Sequence, residues 1–118
     1  MAYPLPEKTK AHIFIPYNNK IADITHADTD RHTVDLAAAL SESRKIIALC
    51  IGNARVTGTG QMYYWPNEGA ENIGNQASAD FDRPLFIIIK DGTQRLQYSQ
   101  SVANDDWDIQ CYGYVVEA

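Results

Sequence analysis

The stretch from Leu85 to Ala118 limits the folds open to this chain most sharply, because it reads as three β-strands separated by two short polar turns. Leu85-Phe86-Ile87-Ile88-Ile89-Lys90 is a β-branched and aromatic run stopped by Asp91-Gly92, a dipeptide that favours a tight hairpin turn. Arg95 to Ser99 alternates polar and apolar residues, and Trp107 to Val116 is a long strand that closes the chain. Alternation points Trp107, Ile109, Cys111 and Val115 at a core and turns Asp108 and Gln110 outward. Tyr112 and Tyr114 then fall on the opposite face. No residue of this third is arranged to do chemistry.

Upstream, similar signals recur at the spacing of a sandwich or barrel. Residues 1–11 carry Pro4 and Pro6 among polar groups and read as an extended arm, leaving 12–118 as one folded domain. His12-Ile13-Phe14-Ile15 is a short strand broken by Pro16, Asn18-Asn19 supplies turn chemistry, and Lys20 to Ile24 resumes the alternation, which predicts a first hairpin. Thr25 to Arg31 is an exposed loop. Leu36, Ala39, Leu40 and Ser43 have helical spacing, but the segment from Val34 to Arg44 is too short for more than one or two helical turns. Lys45 to Gly52 is a near-continuous apolar strand, expected to be buried on both sides. Arg55 to Trp65 is a long run in which Gly58 and Gly60 mark a bulge or bend. Pro66-Asn67-Glu68-Gly69 is a turn, Glu71 to Gln76 a polar edge strand, and Ala77 to Pro84 a loop. About eight strands result, which predicts a single-domain, all-β, antiparallel sandwich of jelly-roll type.

At 118 residues and 45% hydrophobic content the chain has room for one domain with a core of its own. A net charge of −5 and no cluster of Lys or Arg oppose binding to a phosphate backbone, so nucleic acid is not an expected partner. The start, Met1 to Lys8, lacks the basic and apolar regions of a secretory signal, and no apolar run reaches membrane-spanning length. The expected place of synthesis and residence is the cytoplasm, without a membrane partner. Cys50 and Cys111 lie in apolar strands and are expected to be buried free thiols; a disulfide would require those two strands to be adjacent. Neither has a further Cys or His at zinc-ligand spacing.

Several groupings invite chemistry, and each has a plainer reading. His26, Asp28, Asp30 and His32 alternate, so an extended segment would present all four to a divalent metal; a solvated loop accounts for them equally. Asn104, Asp105, Asp106 and Asp108 have the composition of a calcium loop but not its spacing, and fit a polar hairpin before Trp107. Tyr63, Tyr64 and Trp65 form a candidate sugar platform or subunit interface, with Tyr63 and Trp65 on one face and Tyr64 on the other. Thr57-Gly58-Thr59-Gly60 lacks the lysine and following helix of a phosphate loop. No nucleophile elbow is present. No catalytic residue, cofactor or metal is assigned.

Val34-Asp35-Leu36, the strand Arg44 to Leu49, the hairpin Ile89 to Tyr98 and the closing Trp107-Asp108-Ile109-Gln110-Cys111-Tyr112-Gly113-Tyr114 together resemble the small jelly-roll and β-sandwich modules of bacteriophage virions, in head decoration proteins and tail-fibre tips. The resemblance covers Thr33 to Val116. It implies a non-enzymatic role in the virion, self-assembly into trimers or larger arrays, and no cofactor. A decoration or cement subunit that stabilises a larger protein shell is the leading expectation. Tyr3, Pro4, Leu5 and Pro6 would then tie one subunit to its neighbours, since prolines lower the entropy lost when an arm is ordered. A carbohydrate- or receptor-binding module using Trp65 is the alternative, and a small jelly-roll enzyme with metal at His26 to His32 is a third.

Overall fold

The computed structural model describes residues 11–65, 74–76, 85–89 and 94–118, and its topology follows from four antiparallel strand pairs. β1 (His12–Ile24) pairs with β8 (Asp106–Glu117), and β2 (His32–Asp35) with β7 (Arg95–Gln100). β3 (Ile46–Thr57) pairs with β6 (Leu85–Ile88), and β4 (Met62–Trp65) with β5 (Gly74–Gln76). The first strand thus meets the last and the second the one before it, as in a long hairpin wrapped around itself. Two further pairings, β3 with β8 and β4 with β7, join the pairs into the four-stranded sheets β1-β8-β3-β6 and β2-β7-β4-β5. This is the wiring of a jelly roll, the architecture the strand spacing predicts.

The core lies between the sheets. Ile46, Leu49, Ile51, Trp107, Ile109, Cys111 and Val116 enter it from one sheet and Met62, Tyr64, Leu96 and Tyr98 from the other. The helix α1 (Leu36–Leu40) is a single short element, as the weak apolar stripe predicts; Asp35 caps it by accepting from the Ala38 N–H, and Leu36 and Leu40 bury its inner face. Gln94 fastens the two sheets together at this end. Its side-chain amide accepts from the Ile46 N–H at 2.9 Å and donates to the Ile46 carbonyl at 3.1 Å, while its own carbonyl accepts from the Leu36 N–H at 2.9 Å. A side chain here does the work of a neighbouring strand.

Three expectations are corrected. The first hairpin does not form: β1 is one edge strand from His12 to Ile24, with ladder irregularities between Pro16 and Asn19 and between Lys20 and Ala22. An edge strand needs no donor at Pro16, and Asn18, at φ 61°, absorbs its turn tendency as a bulge. Next, the closing strand does not keep one phase. Trp107, Ile109 and Cys111 face the core as expected, but Tyr114 and Val116 follow them there and Val115 turns outward. The cause is an extra residue in β8 between Cys111 and Gly113, opposite the single step from Ile51 to Cys50. Third, Arg55 to Trp65 is not one run: β3 ends at Thr57, and β4 begins at Met62 in the other sheet. Gly58, at φ 115°, turns that corner above the Asp105 carboxylate, and Asp105 accepts from the Gly60 N–H at 2.7 Å.

Both cysteines are free, and only Cys111 is buried. Their strands are adjacent, yet Cys111 faces the core and Cys50 the outer side of the same sheet, so the two thiols cannot meet. Burial pushes the Cys111 thiol up to about 11. The expected turn at Pro66 to Gly69, the loop at 77–84, the Asp91-Gly92 turn and the arm at 1–10 lie outside the described residues.

Replacing Ile109 by Asp should abolish soluble folded protein, because it places an unpaired charge where the side chain is fully buried. Leu49→Ala should lower unfolding free energy in urea by about 2–5 kcal/mol. A near-normal melt for Ile109→Asp would show that the β8 register is wrong.

Candidate functional site

The most distinctive surface is the outer face of the β1-β8-β3-β6 sheet. Cross-strand register sets two adjacent rows over all four strands: Phe14, Val115, Ala48 and Ile88, then Pro16, Gly113, Cys50 and Phe86. Every one of these residues is apolar or small. Phe14 is 54% exposed, Phe86 58% and Ile88 61%. Two rings flatten the middle of the face: Phe14 lies on Gly113, where any Cβ would collide with it, and Tyr112 covers Gly52, where a Cβ would come within 3.0 Å of the ring. Sequence reading missed this surface, although a signal was present. Leu85 to Ile89 is apolar without alternation, the pattern of a strand covered on both faces, whereas only Ile87 and Ile89 are buried.

The aromatic run on β4 divides as its alternation predicts. Tyr64 is fully buried and donates to Asn53 Oδ1 at 2.9 Å, and burial drives its phenol far above the ordinary range. Tyr63 and Trp65 are half-buried on the other side, with Tyr63 donating to Gln61 at 3.3 Å. The Arg31 guanidinium sits 4.1 Å from the Trp65 ring centre. A sugar stacking on that ring face would have to displace it. Tyr3, Pro4, Leu5 and Pro6 lie outside the described residues; the first described residue, Ala11, accepts from the Ala118 N–H at 2.9 Å, which brings the root of the arm to the end of the chain.

His26 and His32 do come together, but as stacked rings 3.5 Å apart rather than as convergent ligands. His26 Nε2 bonds the Tyr98 hydroxyl at 2.9 Å, and His32 Nε2 bonds Asp28 Oδ1 at 2.7 Å. Asp28 also accepts from the Asp30 N–H, so the loop is closed by its own polar groups. Desolvation, then the neighbouring His32, holds His26 below its ordinary value of 6.5.

The aspartates of the β7–β8 connection have separate tasks. Asp105 is buried beneath the Gly58 corner, whereas Asp106 and Asp108 gather with Asp23 close enough to share an ion. Lys20 already bridges Asp108 at 3.2 Å and Asp23 at 3.9 Å, so this cluster carries its own cation. A shallow hollow of about 310 Å³ is lined by Ala37, Glu42, Ser43, Arg44, Lys45 and Gln94. Two of its charges engage each other: Arg44 side-chain and backbone N–H groups, with the Tyr114 hydroxyl, hold Glu42 down to about 2.

Because the His26 pKa is lower folded than unfolded, its contribution to stability is present above the unfolded value and is lost as pH falls through the folded one. The melting-temperature difference between the wild type and His26→Gln should therefore be largest near about pH 7 and shrink towards about pH 5. A constant difference over that range would contradict a His26 ring held in the neutral form. Comparison with protein-family models, with curated proteins and with solved structures finds no match, so the functional reading rests on the strand order and on the geometry of these surfaces.

Proposed function

We propose that this chain is a non-enzymatic structural subunit of a virion, a capsid decoration or cement protein that stabilises a shell by associating with its own kind and with the shell. The observation that carries the reading is the exposure of Phe14, Phe86 and Ile88 together on the outer side of one sheet, apolar surface whose contact with water carries a cost. The jelly-roll wiring supports it, since capsid and lectin domains both use this architecture. Fold alone does not choose between them. The position of Arg31 on Trp65 weighs against the carbohydrate-binding alternative, because the best stacking ring already has a cation on it.

The test is recovery with particles. A tagged chain made in cells that are producing its virus should band with assembled particles in a density gradient and should protect them against heat or chelator. Recovery only in the soluble fraction, together with retention on a glycan array that is lost in Trp65→Ala, would replace the shell reading with the carbohydrate one.

A further inference from the structure

We infer that the outer face of the β1-β8-β3-β6 sheet packs against the same face of a second copy of this chain about a two-fold axis. The argument begins with periodicity. Strands that are apolar on both faces belong to sheets covered on both faces, and in β6 the inward residues Ile87 and Ile89 are buried while Phe86 and Ile88 stand open. The same holds on β1, where Ile15 packs on the core and Phe14 points away from it. One covering layer is the opposite sheet; the other has to come from outside the chain's described residues.

The relief of the face suits a second copy. Phe86 and Ile88 form a ridge along the β6 edge, and beside it the short side chains of Ala48 and Cys50 on β3 form a step. A two-fold rotation lays this apolar face on the same face of its copy, the self-complementarity that an isologous contact requires. Charge is arranged to allow it. The chain carries a net −5, but among the described residues the ionisable side chains on this face sit at its ends, with Lys20, Asp23 and Asp108 beyond one end of the apolar rows and His12 and Glu117 beyond the other. The centre therefore buries no charge, and the rim is polar, as in protein interfaces generally.

The area is adequate. Three strands of 12 or 13 residues and the four-residue β6, at about 3.3 Å per residue and about 4.8 Å between strands, present roughly 650 Å². A standard interface uses about 800 Å² per partner. A two-fold contact builds dimers or assemblies made of dimers, and a ring of three single chains is not among them.

The inference deepens the structural-subunit reading but is tested apart from it, by mass in solution rather than by recovery with particles. The full-length chain, 13.2 kDa, should sediment as a species of about 26 kDa or an even multiple at about 100 µM. Phe86→Glu with Ile88→Glu should weaken pairing by about 100-fold or more and leave the circular dichroism unchanged, since both side chains are exposed in one copy. Val102→Glu, exposed on the β7–β8 connection, should pair normally. Alkylation of Cys50 gives a readout that needs no charged variant: it should be slow in the wild type at high concentration and at least about tenfold faster on dilution to monomer. Ile88→Ser replaces the double variant if that one fails to fold. A wild type that stays monomeric, or that pairs with Cys50 reacting equally fast at both concentrations, overturns the inference.

Discussion

The two-sided pairing of β8 is the interaction on which the rest of this structure depends. β8 hydrogen-bonds to β1 along one edge and to β3 along the other, so one strand from the end of the chain joins its beginning to its middle. Without it, β1 would have no neighbour in its sheet, and β3 would keep only the short β6. The same strand sends Trp107, Ile109 and Cys111 into the core, all without exposed surface. Burying three such side chains on the only strand that reaches both neighbours couples packing to topology, which is how a chain dominated by distant contacts can still fold as one unit.

The irregularity in β8 has consequences on both sides of the sheet. The extra residue at Tyr112 puts both Tyr112 and Gly113 on the outer side and lets Tyr114 return to the core, where it meets Tyr17 edge-on and donates to Glu42 at 3.1 Å. On the outer side Gly113 receives the Phe14 ring and Gly52 the Tyr112 ring, so glycines in the strands gain cover that their own side chains do not supply. A single bulge thus decides which tyrosine is structural and gives the outer face its low, apolar centre. The apolar outer face and the core are two results of one register.

What the sequence made legible follows from how local each signal is. The final strands and the short helix could be read because alternation, turn residues and the helical spacing of Leu36, Ala39 and Leu40 act within a few residues of one another. The hairpin expected at Pro16 to Asn19 failed because those turn signals compete with ten paired positions between β1 and β8, a contact over the whole length of the chain. The phase change before Tyr114 was not legible for the same reason, since it is set by how β8 pairs with Ile51 and Cys50 on another strand. Around the candidate sites, alternation placed Tyr63, Tyr64 and Trp65 correctly, but Arg31 on Trp65 and His26 on His32 are meetings that only the folded chain reveals. The apolar outer face was written in the unbroken run from Leu85 to Ile89, though one strand could not say which of its sides would remain open.

The central role of β8 can be measured directly by residue-resolved amide hydrogen exchange under native conditions. Its amides from Ile109 to Tyr114, paired or packed on both sides, should be among the slowest in the chain and should exchange only through global unfolding, together with those of Leu49 to Asn53 on β3. The short edge strand β2 should exchange faster through local opening. Exchange in β8 as fast as in β2, or slow exchange confined to the β2-β7-β4-β5 sheet, would contradict the account.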